Sequence, residues 1–189
     1  VNVLDTKSNE IISRVHISPM QMLFSDEDEF LVIGGRNGSF KKLSLDTKFS
    51  MFDNFHIGSN RRRLAVNSMA ISEDFIIAGG KNKLISVYKK RGGRKTDVYK
   101  AHEDEVTALA VFPNQDFLVS GGKKGELFLW NLQNGKLEMR LEGISGAITD
   151  IEFVKENSLL ISHKDGTTKI LDLSDLTKTF QFTHPEKVV

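Results

Sequence analysis

A pair of small residues at the end of an apolar run recurs through this chain at nearly constant spacing. The pairs are Gly34–Gly35, Gly79–Gly80 and Gly121–Gly122, with Ser162–His163 at the fourth position. Their second residues follow one another at intervals of 45, 42 and 41 residues. Most helical repeats are shorter and would show a 3.6-residue apolar period. The spacing therefore predicts an array of similar β-structured units.

The segment Ala101–Leu141 is the clearest copy of this unit. It begins with His102 in a polar turn and continues with an apolar strand pattern over Val106–Phe112. A second strand pattern, Phe117–Ser120, runs into the glycine pair, and a third ends on Trp130. The third run is apolar at successive positions, which indicates a strand covered on both faces. The unit therefore predicts sheets that pack between other sheets.

The order of these features resembles one WD40 repeat, the four-stranded blade of a β-propeller. The resemblance implies an all-β fold, a β-propeller of four-stranded antiparallel WD40-like blades, in one partial domain spanning residues 1–189. Residues 1–15 match the end of a preceding blade, and residues 184–189 match the start of a further one. The blades between them are predicted at residues 16–57, 58–100, 101–142 and 143–183.

About four and a half repeats predict an incomplete ring. A propeller avoids exposed sheet edges by closing its ring. We therefore expect the rest of its own chain, or a second chain, to be needed for closure. The same reasoning predicts a segment of a larger multidomain protein or of a multisubunit complex.

The composition narrows the class of protein further. There are no cysteines, so disulfides and thiolate metal sites are excluded. The longest apolar runs are a few residues long, far below the roughly 20 that span a bilayer. No basic-then-apolar signal segment opens the sequence. These features predict an intracellular, cytoplasmic protein and leave a nuclear, cytoskeletal or membrane-associated location open.

In the WD40 family a histidine, a serine or threonine, an aspartate and a tryptophan form a hydrogen-bonded network within a blade. By resemblance, His102, Ser120 and Trp130 are three of these four residues. The aspartate position holds Lys124, which predicts an incomplete network with a structural role. The alternative for His102 is a contact with a partner. Two residues stand at network positions in other copies: His184 and Asp165.

The sequence shows no constellation that would carry catalysis. A phosphate-binding glycine loop precedes a helix, whereas no helical pattern follows any glycine pair. No nucleophile stands with a base and an orienting acid, and the histidines lie at dispersed, repeat-like positions. We therefore predict no catalytic residues, no metal and no cofactor. A propeller hydrolase is the least favoured class.

Charge is unevenly distributed along the chain although the net charge is only +1. Residues 61–100 contain eleven basic and three acidic residues. In a WD40 blade, turns between the second and third strands share one face with the connections between blades. The basic residues predicted on that face are Arg36, Arg61, Arg62, Arg63, Lys81, Lys83, Lys123 and Lys124. A second basic group, predicted on the opposite face, spans Lys89–Lys95.

Two interpretations of the basic face stay open: it is solvated, or it binds an acidic partner. We predict a non-catalytic scaffold for protein–protein interaction whose partners have acidic surfaces. The alternative is a propeller that binds phosphoinositides or another anionic membrane surface, because the Arg61–Arg63 run resembles the paired-arginine motif of such proteins. Aromatic residues are not interleaved with the basic runs, which argues against nucleic acid.

Overall fold

The structure is a computed structural model that describes residues 2–4, 11–14, 16–25, 29–45, 51–57, 64–141 and 146–183. These residues form β-strands and turns. Each strand pairs antiparallel with a neighbour in the chain. The predicted all-β architecture of four-stranded antiparallel sheets is confirmed.

The strands fall into one short pair and four sheets of four strands, which we number in chain order. The pair consists of β1 (Asn2–Leu4) and β2 (Ile11–Arg14). Sheet 1 contains β3 (Pro19–Phe24), β4 (Phe30–Gly35), β5 (Ser39–Ser44) and β6 (Met51–His56). Sheet 2 contains β7 (Val66–Ile71), β8 (Phe75–Gly80), β9 (Leu84–Lys89) and β10 (Lys95–Lys100).

The other two sheets repeat the same up-and-down order. Sheet 3 contains β11 (Val106–Val111), β12 (Phe117–Gly122), β13 (Leu127–Asn131) and β14 (Leu137–Leu141). Sheet 4 contains β15 (Ile148–Lys155), β16 (Ser158–His163), β17 (Thr167–Asp172) and β18 (Thr179–Thr183).

The first glycine of each pair is required for close packing between consecutive sheets. A Cβ atom added at Gly79 would lie 2.6 Å from Cγ1 of Val106, the first residue of the next sheet. At Gly121 the same atom would lie 2.8 Å from Cγ2 of Ile148. Gly34 meets Val66 at 2.9 Å in the same way. The repeated glycine therefore makes room for the first strand of the following sheet.

Apolar side chains fill the space between consecutive sheets. Val106 and Leu118 of sheet 3 are buried with Ile77 and Val87 of sheet 2 in one cluster. A corresponding cluster joins sheets 3 and 4. The strands are apolar on both faces because the inner sheets are covered on both sides, as expected for stacked blades.

Backbone hydrogen bonds organise the turns into two ends. At one end, turns between second and third strands bond to the connections between sheets. Lys81 donates its N–H to Ala65 O at 3.1 Å, and Lys123 donates to Glu105 O at 3.0 Å. Sheets 1 and 4 repeat this bond through Arg36 and Lys164. We call this the connection end.

At the other end, the two hairpin turns of each sheet bond to one another. Lys90 donates its N–H to Asp74 O at 2.7 Å, and Leu132 donates to Asp116 O at 2.8 Å. Sheets 1 and 4 repeat the bond through Leu45 and Leu173. We call this the hairpin end.

The outer faces of sheets 1 and 4 carry large apolar side chains that are exposed. On sheet 1, Met22 is 51% exposed and Phe24 is 63% exposed. On sheet 4, Phe180 is 62% exposed and Phe182 is 56% exposed. Side chains alternate across a strand, so these residues point away from the packed inner faces.

Candidate functional site

The buried polar site of sheet 3 is centred on one hydroxyl group. Ser120 Oγ accepts the indole N–H of Trp130 at 2.8 Å and lies 2.8 Å from Nε2 of His102. Strands β12 and β13 supply the serine and the tryptophan, and the connection from sheet 2 supplies the histidine. Tyr99 of sheet 2 stacks on the Trp130 ring, with ring centroids 5.0 Å apart. The geometry joins these three predicted residues in one hydrogen-bonded group.

Glu126, which the sequence reasoning missed, lies beside this group. Its Oε1 accepts the backbone N–H of Glu103 at 3.0 Å, and its Oε2 accepts that of Lys124 at 3.1 Å. A side chain at Gly122 would collide with both this carboxylate and Nδ1 of His102. Glu126 therefore supplies negative charge near the imidazole although Lys124 stands at the family's aspartate position. Its position, two residues after Lys124 and immediately before the buried strand β13, was the sequence signal that could have identified it.

Burial keeps His102 neutral in the folded chain. Desolvation lowers the pKa of His102 to about 4, and the nearby Glu126 carboxylate opposes this shift only in part. Nδ1 of His102 has no hydrogen-bond partner among the described residues. A neutral imidazole bonded to Ser120 can hold the turn but supplies no exposed acid or base.

Sheet 4 does not repeat this polar group. Asp165 is exposed and instead accepts the backbone N–H and the hydroxyl of Thr167, at 2.9 and 2.7 Å. Those bonds lower the pKa of Asp165. The serine and tryptophan positions hold Ile161 and Leu171, which are buried and give Asp165 no polar partner inside the sheet. His184 lies outside the described residues.

Three of the predicted basic residues are paired with an acidic turn of the same chain. Lys124 Nζ lies 3.0 Å from Glu103 Oε2, and Lys123 Nζ lies 3.4 Å from Glu105 Oε1. Lys83 Nζ donates to the backbone oxygen of Glu103 at 2.9 Å. The connection end is therefore a mixed-charge surface where sheets 2 and 3 meet. The sequence reasoning counted the lysines and did not place the Glu103–Glu105 turn among them.

Arg36 and Lys81 lie on the same end, in exposed turns of sheets 1 and 2. Neither forms an ion pair with another described residue. Arg61, Arg62 and Arg63 lie outside the described residues. Among the described residues at the connection end, the basic side chains without an ion pair therefore lie in turns of sheets 1 and 2 and at Lys164 of sheet 4.

Among the described residues, no group of three or more histidine, aspartate or glutamate side chains is arranged to hold a metal ion. No helix in the same residues is long and apolar enough to cross a membrane.

One repeat of the chain matches the model of a known protein family. The family model described as WD40, "WD domain, G-beta repeat", matches residues 93–131. The chain is 38% identical over 68 residues to Protein Atg16l2 of Mus musculus, which covers 35% of this chain and 11% of that protein. It is 30% identical over 112 residues to Small ribosomal subunit protein RACK1y of Oryza sativa subsp. japonica, covering 59% of this chain and 32% of that protein.

Solved structures share the fold. The match to the structure described as "Structure of U3-55K" has a TM-score of 0.82 and 17% identity, and covers 92% of this chain and 54% of that one. The match to "Crystal structure of RRP9 WD40 repeats" has the same score and identity and covers 53% of that chain. The chain thus spans about half of these propellers, and a third or less of the two curated relatives. The predicted propeller fold is confirmed.

Proposed function

Because the chain belongs to the WD40 family of β-propeller proteins, we propose that it is a non-catalytic platform on which partner proteins dock. WD40 propellers are generally protein-interaction scaffolds. One observation supports a docking surface at the connection end. Four consecutive sheets present basic turns there, and each turn is tied to the adjoining connection by the same backbone hydrogen bond. The basic side chains in these turns are Arg36, Lys81, Lys83, Lys123, Lys124 and Lys164.

The repeated bond supports this proposal because it gives the surface a fixed shape. Strand ends that are buried between sheets hold each turn in place. A backbone hydrogen bond then joins the turn to the connection beside it. A partner that docks on preformed loops loses less conformational entropy than one that must order them. Rigid strands carrying exposed loops are the usual arrangement of binding surfaces.

The charges indicate where an acidic partner would bind. The Glu103–Glu105 turn already contacts Lys83, Lys123 and Lys124. These lysines therefore contribute less binding free energy to an acidic partner than three free lysines would. Arg36 and Lys81 form no ion pair with other described residues and can bind carboxylates directly. We therefore propose that the acidic partner binds over sheets 1 and 2, together with Arg61–Arg63, which the sequence predicts on the same face.

We further propose that other blades cover the two outer faces. Phe180 and Phe182 on sheet 4, and Met22 and Phe24 on sheet 1, occupy faces whose counterparts on sheets 2 and 3 are packed. Exposed apolar faces of this kind drive association in water. The occupants would be blades from the same protein or from a second chain, which makes this segment one arc of a larger ring.

Comparative pull-down tests the docking surface. The variant Arg61→Glu/Arg62→Glu/Arg63→Glu is compared with Lys136→Glu/Lys155→Glu/Lys178→Glu, which makes the same charge change at the hairpin end. We expect the first variant to lose partners that wild type and the second variant retain, with a loss that is larger at low salt. Retention of every partner by the first variant at low and moderate salt would show that the face is only solvated.

Liposome co-sedimentation separates the membrane alternative. Protein docking predicts no dependence on anionic lipid, whereas a phosphoinositide-binding propeller predicts sedimentation that needs Arg61–Arg63. Sedimentation with anionic vesicles that the triple reversal abolishes would replace the protein-docking proposal with the lipid-binding one.

A further inference from the structure

The turn between β9 and β10 concentrates positive charge at the hairpin end of sheet 2, opposite the surface proposed above. Lys89–Lys95 reads KKRGGRK, which is five cations in seven residues. Gly92 and Gly93 have φ of 74° and 62°, the left-handed region that favours glycine. A Cβ atom at Gly92 would have no neighbour within 4 Å, so the tip of this turn is open on the side that a partner would approach.

The base of this basic hairpin is anchored to two sheets. Lys89 donates its N–H to Arg94 O at 2.9 Å, which closes the hairpin. Lys90 donates its N–H to Asp74 O at 2.7 Å, which ties it to the other turn of sheet 2. From sheet 1, Lys42 Nζ donates to Lys90 O at 2.9 Å. The charged tip therefore stands on a fixed base.

Aromatic rings position the lysines. Lys89 Nζ lies 4.4 Å from the centroid of the Phe75 ring, Lys90 Nζ lies 5.5 Å from that of Phe30, and Lys95 Nζ lies 5.7 Å from that of Tyr88. Contacts of this type restrict the long side chains before a partner arrives. Because the fold already restricts these lysines, they lose less side-chain entropy when an anion binds.

The hairpin differs from the connection end in the number of its counter-charges. Among the described residues, Asp74 is the carboxylate that pairs with it, 3.9 Å from Lys89 Nζ. Arg91 and Arg94 are exposed and form no ion pair with a described residue. At the connection end, by contrast, the Glu103–Glu105 turn offsets three lysines.

We propose that the basic hairpin, residues 89–95, is a second docking surface, which binds a short acidic segment of a partner protein. Arg91 and Arg94 flank the glycine pair and present planar guanidinium groups that pair bidentately with carboxylates. The three positioned lysines add positive charge around them. The proposal concerns the opposite end of the molecule and stands independently of the connection-end surface.

The neighbouring turns decide the kind of partner. The hairpin end of sheets 3 and 4 carries exposed side chains of both signs, among them Asp116, Glu156, Lys136 and Lys155. The hairpin of sheet 2, by contrast, concentrates five cations beside one paired carboxylate. Stacked sheets lie about 10 Å apart, so a flat anionic membrane would also meet the mixed-charge turns of sheets 3 and 4, whereas a narrow acidic segment contacts sheet 2 alone. Phe30 and Tyr88 are buried beneath the lysines and cannot stack with nucleic-acid bases.

Fluorescence anisotropy with a labelled decaglutamate peptide tests the proposal on the full chain. The variant Arg91→Glu/Arg94→Glu is compared with Lys136→Glu/Lys155→Glu, which makes the same charge change at exposed positions of sheets 3 and 4 that belong to neither proposed surface. We expect the hairpin variant to bind the peptide about tenfold or more weakly than wild type, and the control to stay within about threefold. Equal loss in both variants, or no loss in the hairpin variant, would overturn the proposal.

Two further arms sharpen the outcome. Arg91→Lys/Arg94→Lys keeps the charge and removes the guanidinium fork, so we expect a loss of about threefold, between wild type and the reversal. Vesicles with about 30 mol% phosphatidylserine test the membrane occupant. Vesicle binding that depends on Arg91 and Arg94 at near-physiological salt would overturn the protein-segment proposal. Unchanged Trp130 fluorescence in every variant confirms that the chain remains folded.

Discussion

Ser120 Oγ accepts the indole N–H of Trp130 at 2.8 Å, and both residues are buried, with Ser120 fully inaccessible. The indole nitrogen is only a donor, so the hydroxyl keeps its own proton and a second lone pair for the bond to Nε2 of His102, also at 2.8 Å. One hydroxyl thus joins two strands of sheet 3 to the connection from sheet 2.

Replacing Ser120 with alanine tests this arrangement. The change leaves the Trp130 N–H and the His102 Nε2 buried without their partner, and we expect the free energy of unfolding to fall by about 2 to 4 kcal/mol. Urea unfolding followed by the fluorescence of Trp130, the one tryptophan of the chain, measures it. Ser120→Thr retains the hydroxyl and should recover at least half of the loss. Equal losses in the two variants would assign the effect to packing.

The pKa of His102 predicts a pH dependence of stability. Its folded value of about 4 lies below the value of 6.5 expected for the unfolded chain. The unfolded chain therefore binds the additional proton between these values, and stability is full above pH 6.5 and decreases as pH falls toward 4. From near pH 7 to near pH 5 the expected loss is about 2 kcal/mol. His102→Gln should remove this slope, whereas an unchanged slope would mean that other groups cause it.

Asn67 links sheets 2 and 3 at the connection end. Its Nδ2 donates to Glu105 Oε2 and to Val106 O, each at 3.2 Å. We expect Asn67→Ala to lower the free energy of unfolding by about 1 kcal/mol, because Val106 is the buried first residue of sheet 3. Lys123→Ala breaks only an exposed ion pair to the same Glu105 and should cost less than about 0.5 kcal/mol. Urea titrations of both variants distinguish the two interactions, and equal effects would contradict this ranking.

The outer face of sheet 4 predicts self-association of the isolated chain. We expect the 21.2 kDa chain to sediment as oligomers or aggregates, because Phe180 and Phe182 expose more than half of their surfaces. Phe180→Ser/Phe182→Ser should raise the monomer fraction in sedimentation velocity. Leu176→Ser, which removes an exposed leucine from a turn at the hairpin end, serves as the control and should change little. A wild-type chain that is monomeric and melts cooperatively in dilute solution would refute this prediction.

The repeat and the kind of sheet were predictable from the sequence because both depend on local patterns. The glycine pairs mark where each second strand meets the following sheet, and that contact is the same at Gly79 and Gly121. The apolar runs around them specify strands that are covered on both faces, as the buried clusters show. The His102–Ser120–Trp130 grouping followed from family resemblance, since residues 18 and 10 positions apart carry no local signal of contact.

The sequence by itself determined the β-structured repeat, its period and the residues at each turn, because side-chain alternation and backbone conformation act over a few residues. Only the tertiary structure decided which charges are compensated. Lys124 and Glu103 lie 21 positions apart and meet because the turn of one sheet folds against the connection from the sheet before it. Arg91 and Arg94 have the same formal charge as Lys124, yet the structure leaves them without an ion pair among the described residues. Electrostatic pairing depends on distance in space, which composition and spacing along the chain do not specify.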